Sequence, residues 1–442
     1  MNDTASDSFL FTCPCGKIQG QDLNGLCFFR GIPYAAAKRF TLPEIVTQWD
    51  GVFDATQTET DCWQLNSFCD ESATFYCREF RAGRTFTYAE SPMTLNIVTP
   101  SAVGRRPVLI FFHGGSFETG TVGELPYGSC VEYGKRDIVF VSVGYRLNIF
   151  GLYGGTNYGL ADMTAAVDWV RNNIASFGGD PDAIVVMGQS AGAMSLMDLL
   201  CSEALLGKIR GAVMMSGAGI IPSFAQPMTR AESKRFWKRI ASAIPGDIYT
   251  AAPETLWKAW HAAKAGDNLI SGFRHMQPCI DGTIPPDTQK KRVRSGKILD
   301  VPIMIGVTSQ DMLPVLLYEM GLQLGLMCEK NGHKPVYGYF FDRTLPGNSF
   351  KAFHASDLWY MFGNMDKSWR PFERIDYELS SEMIDSVAAF CRTGEPGNAA
   401  WTPISRKNKG FRHFDGISQG MVFPAFCRKK VLHSMLKDPG PA

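Results

Sequence analysis

Two hydrophobic patterns alternate along the chain. Short apolar runs of strand length are separated by segments whose apolar positions recur with a helical period. The runs that predict buried strands lie at residues 95–98, 108–112, 138–143, 183–187, 211–215, 301–307 and 336–341. Helices are predicted between several of these runs, at 161–176 and 191–202. The alternation predicts an α/β fold with a mostly parallel, twisted central sheet flanked by helices.

The stretch 222–273 has a different pattern. Residues 231–244 and 254–264 have the period of amphipathic helices, and no strand-like run lies between them. No internal repeat and no Gly/Ser-rich or charged linker divides the chain. We therefore expect a single domain over residues 1–442, with a helical cap subregion at about 222–273 that lies over the sheet.

Composition narrows the classes of partner. The chain has 442 residues, of which 45% are hydrophobic and 20% charged, so it can bury a large core. Its 44 basic and 43 acidic side chains leave a formal charge of +1. No net field would attract nucleic acid or an anionic membrane. Apolar runs such as 108–112 are far shorter than the ~20 residues of a membrane-spanning helix. We expect neither nucleic acid nor a membrane as partner.

The N-terminus and the cysteines bear on the compartment. The first residues carry two acids and no base, without the apolar core of a signal peptide. Twelve cysteines are too sparse for a disulfide scaffold and show no paired CxxC zinc pattern. Cys13 and Cys15 are expected to be ordinary thiols in a loose terminal segment. Together these features predict a cytoplasmic protein with mainly free thiols.

The candidate chemistry starts at the sequence GQSAG, residues 188–192. A strand-like run leads into it and a helical pattern follows, which is the context of a nucleophile elbow. Gly188 and Gly192 would let the backbone crowd together while Ser190 takes a strained conformation above the sheet. The alternative is that Ser190 only caps the following helix.

A second turn offers donors for an oxyanion. The predicted strand at 108–112 ends in the sequence HGGSF, where small residues expose backbone N–H groups. The alternative is an ordinary glycine-rich turn. Both turns, however, follow strands at the same edge of one sheet, where open α/β sheets bind their ligands. The predicted donors are Gly115, Ser116 and Ala191, with His113 and Gly114 as supporting residues.

A catalytic acid is expected between the nucleophile and the base, because the chain order at such elbows is Ser, then Asp or Glu, then His. Asp300 precedes the predicted strand at 301–307 and so lies at its wrong end. Asp311 follows that strand, whereas Asp281 has the surroundings of a turn residue. The order therefore favours Asp311.

His354 is the favoured base. It follows the predicted strand at 336–341 by one loop and opens a predicted helix. His413 is the alternative. No cluster of His, Cys and Asp has a convincing metal spacing, so neither a metal nor another cofactor is expected.

Further motifs along nearly the whole chain resemble those of one family, the type-B carboxylesterases, which are cholinesterase-like α/β-hydrolases. The matching segments are FRGIPYA at 29–35, RF at 39–40, WDGV at 49–52, HGGSF at 113–117, GYRL at 144–147, NIASFGGDP at 173–181, GQSAG at 188–192, DG at 281–282 and HASDL at 354–358. The resemblance implies an α/β-hydrolase fold and a catalytic triad of Ser190, His354 and Asp311. It also implies that Ser216 supports the acid.

The sequence departs from the family in three places. The acid position usually carries Glu and here carries Asp311. Pro92 stands where the partner of Cys62 would form the family's early disulfide. The segment from Asp311 to His354 is shorter than usual, so we expect part of the lid to be missing and the mouth of the site to be wide.

The aromatic residues of the cap subregion could change that expectation. They would either close the mouth of the site or pack within the helical layer. These residues are Phe236, Trp237, Trp257 and Trp260.

The resemblance implies a carboxylesterase that cleaves small-molecule esters through an acyl-enzyme on Ser190. We expect the protein to be a monomer or homodimer. An amide, carbamate or lactone hydrolase would use the same triad and stays an alternative. A catalytically silent binding protein of this family is disfavoured, because such proteins typically lose the serine.

Overall fold

The predicted α/β architecture is present in the computed structural model of the chain. The structure describes residues 8–64, 74–217, 219–222, 226–265, 267–347, 350–418 and 420–422. The strands are β1 Ser8–Cys13, β2 Gly16–Leu23, β3 Leu26–Pro33, β4 Ala35–Ala36, β5 Glu44–Ile45, β6 Val52–Asp54, β7 Thr60–Cys62, β8 Thr87–Ala89, β9 Thr94–Thr99, β10 Arg106–Phe112, β11 Val139–Val143, β12 Gly179–Gln189, β13 Gly211–Met215, β14 Ile303–Thr308, β15 Val336–Phe341, β16 Phe411–Phe414 and β17 Met421–Val422.

Helices connect many of these strands. They are α1 Phe75–Phe80, α2 Glu132–Lys135, α3 Asn148–Leu152, α4 Tyr158–Asn173, α5 Ala191–Leu200, α6 Arg230–Ser242, α7 Pro253–Lys264, α8 Leu269–Met276, α9 Gln289–Arg294, α10 Pro314–Lys330, α11 Leu358–Phe362 and α12 Arg374–Thr393. Short 3₁₀ segments lie at Tyr153–Gly155, Ile174–Phe177 and Met365–Lys367. Within the described ranges, no helix is both long enough and apolar enough to cross a membrane.

The central part of the large sheet is parallel. Strands follow in the order β1-β2-β3-β9-β11-β10-β12-β13-β14-β15-β16-β17, and neighbours from β11 to β16 run parallel. The carboxyl ends of β10, β12, β14 and β15 therefore meet at one edge of the sheet. This edge carries both turns in which the sequence predicts catalytic groups.

Both faces of the sheet are covered. On β10, Val108 and Ile110 belong to one buried cluster, whereas Leu109 and Phe111 belong to another. Alternate side chains of a strand point to opposite faces, so each face packs against its own layer. A strand buried on both faces needs a continuous apolar run, which explains why the central strands were predictable from sequence.

The prediction of a loose N-terminal segment was wrong. In the hairpin of β1 and β2, Cys13 pairs with Gly16. The hairpin adds two antiparallel strands beside β3, at the start of the strand order and away from the central parallel strands. The thiols of Cys13 and Cys15 are buried, and the Cys15 thiol donates to Asn173 Oδ1 at 3.3 Å. The ten cysteines within the described ranges are all free and buried. Cys69 and Cys427 lie outside the described residues.

The described part of the cap subregion contains helices and no named strand. Helices α6, α7 and α8 occupy it, and α8 runs on to Met276. The side chains of Phe236, Trp237, Trp257 and Trp260 are buried. Trp237 packs edge-on against Tyr153, and none of the four lines the cavity described below. They pack within the helical layer.

Candidate active site

Ser190 occupies the sharp turn between β12 and α5. Its backbone has φ 54° and ψ −121°, a strained combination for a residue with a side chain. A Cβ at Gly188 would come within 2.6 Å of the Gly192 carbonyl carbon, and one at Gly192 would overlap the Phe112 carbonyl. The elbow therefore requires both glycines.

The Ser190 hydroxyl faces His354 and makes no capping hydrogen bond to α5. Its Oγ lies 2.9 Å from His354 Nε2. In the neutral imidazole whose proton sits on Nδ1, Nε2 accepts this hydrogen bond from the hydroxyl. The serine is partly exposed to solvent, so a reactant can reach it.

Asp311 holds the other side of the imidazole. Its Oδ1 lies 2.6 Å from His354 Nδ1 and also accepts the Met312 N–H at 2.8 Å. Its Oδ2 accepts the Thr308 hydroxyl at 3.0 Å. Both oxygens of this buried carboxylate are thus satisfied, which fixes its orientation.

The charges of this pair support each other. Burial opposes ionisation of Asp311, but the charge and the hydrogen bond of His354 outweigh it and lower the pKa of the carboxyl. Desolvation likewise opposes a charged His354, yet Asp311 raises the pKa of the imidazole. The site therefore favours an ionised acid beside an imidazole that accepts a proton readily.

The turn after β10 has an unusual backbone. Gly115, Ser116 and Phe117 have φ values of +112°, +57° and +60°. The Gly115 carbonyl accepts the amides of Glu118 and Thr119, each at 2.9 Å. These hydrogen bonds turn the Gly115 carbonyl back into the loop. In the described structure the amides of Gly115 and Ser116 make no backbone hydrogen bond of their own.

His113 supports the same turn through the Gly114 carbonyl. Its ring is buried, stacks on Tyr145 with centroids 4.7 Å apart, and has its Nδ1 2.8 Å from the Gly114 carbonyl oxygen. Burial lowers the pKa of His113 to about 4. A neutral ring with its proton on Nδ1 donates to that carbonyl and fixes the orientation of the Gly114 peptide.

Ala191 is the first residue of α5, where amides have no partner within the helix. Ser216 lies in a neighbouring turn with φ 50°, and its amide donates to the Gly306 carbonyl at 2.9 Å. The Ser216 hydroxyl is close enough to Asp311 to lower the acid's pKa, yet it has no hydrogen bond of good geometry within the described structure. Thr308 is the hydroxyl that holds Asp311 directly.

These groups open onto a cavity of about 290 Å³. Ser116, Ser190, Ala191, Asp311 and His354 belong to its polar lining. The rest of the lining is largely apolar and comes mainly from α8, α10 and the residues before them. Its side chains are Met194, Ile221, Phe273, Met276, Met312, Leu313, Leu316, Leu317 and Met320.

The alternatives to Asp311 and His354 lie elsewhere. Asp281 Oδ1 accepts the amides of Thr283 and Ile284 at 2.7 Å each, as expected of a turn residue. His413 Nε2 lies 3.3 Å from Asp342 Oδ2, and Asp300 accepts the Lys334 amide. Neither Asp281 nor His413 lines the cavity.

Sequence analysis missed several neighbours of the site. Thr308 follows the apolar core of β14 as its last residue, where a hydroxyl can turn toward the strand end. Gln189 is buried beside the nucleophile, and its Nε2 lies 3.3 Å from His354 Nε2. An apolar segment begins directly after Asp311 with Met312 and Leu313 and continues into α10, a position that could have indicated a substrate wall. In the described part of the chain, no group of three or more His, Cys, Asp or Glu side chains could hold a metal ion.

Comparison with known proteins identifies the family of the chain. The model of the Carboxylesterase family matches residues 7–326 and 322–421. A para-nitrobenzyl esterase of Bacillus subtilis is 28% identical in an alignment that covers 88% of this chain and 91% of that protein.

Solved structures extend the match to the fold. A PNB esterase superposes with a TM-score of 0.81 at 25% identity, covering 96% of this chain and 99% of that one. A Geobacillus stearothermophilus carboxylesterase gives a TM-score of 0.79 at 25% identity, covering 95% and 99%. The chain belongs to the carboxylesterase family and has the α/β-hydrolase fold.

Proposed function

We propose that the protein hydrolyses carboxylic esters through an acyl-enzyme on Ser190, with His354 as base and Asp311 as acid. The observation that carries this assignment is the continuous hydrogen-bonded series from Ser190 Oγ through the imidazole to Asp311. It opens into a cavity in which an ester can lie.

The first half-reaction forms the acyl-enzyme. His354 Nε2 takes the proton of Ser190 as Oγ attacks the ester carbonyl, and Asp311 stabilises the imidazolium and keeps its proton on Nδ1. The imidazolium then protonates the leaving alcohol. Water repeats the sequence on the acyl-enzyme and releases the acid, so the cycle needs no cofactor.

The amides of Gly115, Ser116 and Ala191 are proposed to hold the oxyanion. Such donors act on charge that develops only in the transition state, and each can contribute roughly 2.7–4 kcal/mol. His113 and Gly114 keep the turn in place, and Ser216 contributes to the surroundings of Asp311.

The cavity favours an uncharged, apolar group on the substrate. A cavity of about 150 Å³ accepts a benzene molecule, so one of about 290 Å³ has room for an aromatic ring together with a short chain. The partly exposed serine and the exposed Met312 and Leu313 at its rim favour tolerance of bulky acyl or alcohol groups. The name of the Bacillus relative makes para-nitrobenzyl esters sensible test substrates.

A substrate panel tests the assignment. Purified protein is assayed with p-nitrophenyl esters of graded acyl length beside the matching anilides, with and without a chelator. We expect turnover of the esters that survives the chelator, and an organophosphate adduct on Ser190 by mass spectrometry. An adduct elsewhere, or loss of turnover with the chelator, would contradict the serine mechanism. Faster cleavage of the anilides would favour the amidase alternative.

We also propose a cytoplasmic location and a monomer or homodimer. Burial raises the pKa of the Cys62 thiol to about 12, and its Sγ accepts the Leu147 amide at 3.2 Å. A thiol in this environment is unreactive and suits a reducing compartment. Thiol titration of the denatured protein should then find close to twelve free cysteines.

A further inference from the structure

A second buried carboxyl, Asp357, lies three residues after the proposed base. Asp357 follows His354 in the turn that leads into α11, and it is fully buried. Its Oδ2 accepts the Tyr339 hydroxyl at 2.8 Å, whereas Oδ1 has no hydrogen-bond partner in the part of the chain that the structure describes. Asp357 is the N-cap residue of α11, yet its side chain makes no capping hydrogen bond. Helix capping, the usual reason for Asp at this position, does not explain it.

Tyr339 joins this carboxyl to the strand that carries the proposed acid. The tyrosine projects from β15 over Gly306 of β14, where any Cβ would overlap its ring. Two residues further along β14, Thr308 donates to Asp311. The Tyr339–Asp357 pair is therefore packed directly against the strand end from which Asp311 reaches His354.

The electrostatics of this pair involve the reacting groups. Burial raises the pKa of Asp357 to about 7, an effect that the Tyr339 hydrogen bond and His354 oppose and that Asp311 strengthens. In return, Asp357 adds to the effect of Asp311 in raising the pKa of His354. The titratable groups that act on Asp357 are thus Tyr339, Asp311 and His354.

A buried carboxyl with a single hydrogen bond is costly to keep in a core. The position of this carboxyl near His354 suggests a function for it. The imidazole becomes positively charged when it takes the serine proton, and a nearby carboxylate can stabilise that charge. We propose that Asp357, held by Tyr339, is a positioning residue that stabilises the imidazolium form of His354 during catalysis. This inference rests on the proposed role of His354 as base.

The sign of the expected effect follows from the charges. The kcat/KM of a serine hydrolase falls as pH drops through the pKa of the free base, because a protonated imidazole cannot accept the serine proton. Asp357→Asn removes a negative charge near that base, so the pKa of His354 falls. The acid limb should then move to lower pH by roughly half a unit to one unit, with a loss of roughly three- to tenfold at the plateau.

A second variant tests the same inference with less risk to folding. Tyr339→Phe keeps the ring over Gly306 and removes only the donor to Asp357. Without that hydrogen bond Asp357 stays protonated to higher pH, so less negative charge faces His354. The acid limb should move in the same direction as in Asp357→Asn, and by less. The double variant should resemble Asp357→Asn alone, because both changes act through one carboxyl.

Asp198 provides a matched control. It is also buried, burial raises its pKa to about 7, and Gln289 Nε2 donates to its Oδ1 at 2.7 Å. It lies on α5 eight positions beyond Ser190, which is about 12 Å along a helix. Asp198→Asn makes the same chemical change away from His354, and its acid limb should match that of the wild type.

The measurement is kcat/KM from pH 4 to 9 for each variant, normalised to sites that an organophosphonate labels at Ser190. Wild-type acid limbs in both Asp357→Asn and Tyr339→Phe, with labelling intact, would overturn the inference and leave the triad standing. If Asp357→Asn does not fold, the acid limb of the kcat/KM profile of Tyr339→Phe is sufficient to test the inference. Turnover by Ser190→Ala would instead refute the triad itself, so the two failures are distinguishable.

Discussion

The cavity has a polar wall held together by hydrogen bonds and an apolar wall of hydrophobic side chains. On the polar wall, Ser190, His354 and Asp311 are joined by hydrogen bonds of 2.9 and 2.6 Å and stand on turns that follow the strands of one sheet. The apolar wall comes mainly from α8, α10 and the loops beside them, and it consists largely of Met and Leu side chains. Hydrogen bonds on the polar wall fix the positions of the reacting atoms, whereas the apolar wall offers a contact surface to the substrate.

This difference separates chemistry from substrate choice. Hydrogen bonds depend steeply on distance and angle, so small displacements on the polar wall should be costly. Methionine and leucine contacts are not directional, and methionine adapts to irregular shapes. Substitutions on the apolar wall should therefore change which ester is preferred more than how fast the best ester reacts.

The largest effect is expected from the nucleophile and the base. Ser190→Ala and His354→Ala should each lower kcat by a factor on the order of 10⁶, and the double variant should be hardly worse, because the groups act as a unit. Pre-steady-state assays with a p-nitrophenyl ester would measure these losses. Ser195→Ala alters a buried serine further along α5 and should stay within a few-fold of the wild type. Additive losses in the double variant would show that the two residues act separately.

Asp311 comes next. Asp311→Asn should keep the fold and substrate binding but lower kcat by up to ~10⁴, because the amide leaves the imidazole in the wrong tautomer. Asp311→Glu keeps the charge, but its extra methylene displaces the carboxylate from Thr308 and Met312, so a loss on the order of 10² is expected. Asp281→Asn, in the turn near Thr283, is the control and should leave kcat within a few-fold. The reverse pattern would mean that the acid lies elsewhere.

The polar wall was largely predictable from sequence, for a physical reason. The glycines around Ser190 and those before Ser116 are required by backbone geometry within a few residues, so a local motif contains most of the information. Asp311 and His354 follow strands whose apolar runs are continuous. Chain order and strand ends therefore led to residues that the structure brings together.

The apolar wall and the N-terminal edge were not predictable in the same way. Which face of α10 meets the cavity depends on how the helix packs, because its apolar residues face both the core and the cavity. Strand β2 has the sequence GKIQGQDL, in which only Ile18 and Leu23 are apolar, so it lacked the continuous apolar run that marked the central strands. Asp357 was part of a recognised motif, but its burial against Tyr339 arises only from tertiary contacts.

A smaller effect is expected from the turn after β10. Gly115→Ala would place a methyl group against the Thr119 carbonyl at φ +112°, so the turn must shift and its amides with it. Loss of one oxyanion donor lowers kcat by about 10²–10³. Gly207→Ala makes the same change at φ +68°, with no atom within 4 Å of the new methyl. It should leave kcat unchanged, and an equal loss in both variants would show that backbone strain, rather than donor position, causes the effect.

The smallest effect should come from the apolar wall and should appear as a change in preference. Leu317→Ala and Met320→Ala remove side chains that line the cavity on α10. Lost contacts of one or two methylenes cost about 1–3 kcal/mol of transition-state binding, or roughly 10- to 200-fold in kcat/KM. The loss should be larger for esters with long acyl groups than for the acetyl ester, because a longer acyl chain makes more contacts with an apolar lining. Values of kcat/KM across a series of p-nitrophenyl esters would measure it.

Leu324→Ala separates preference from stability. Leu324 lies further along α10, is fully buried and belongs to the core instead of the cavity wall. Its truncation should lower the free energy of unfolding by roughly 2–5 kcal/mol without altering the ratio of kcat/KM between long and short esters. Denaturant melts and the same ester series are measured on all three variants. If Leu324→Ala shifted the preference as much as Leu317→Ala, the wall would act through the stability of the helix, and the contrast between the two walls would fail.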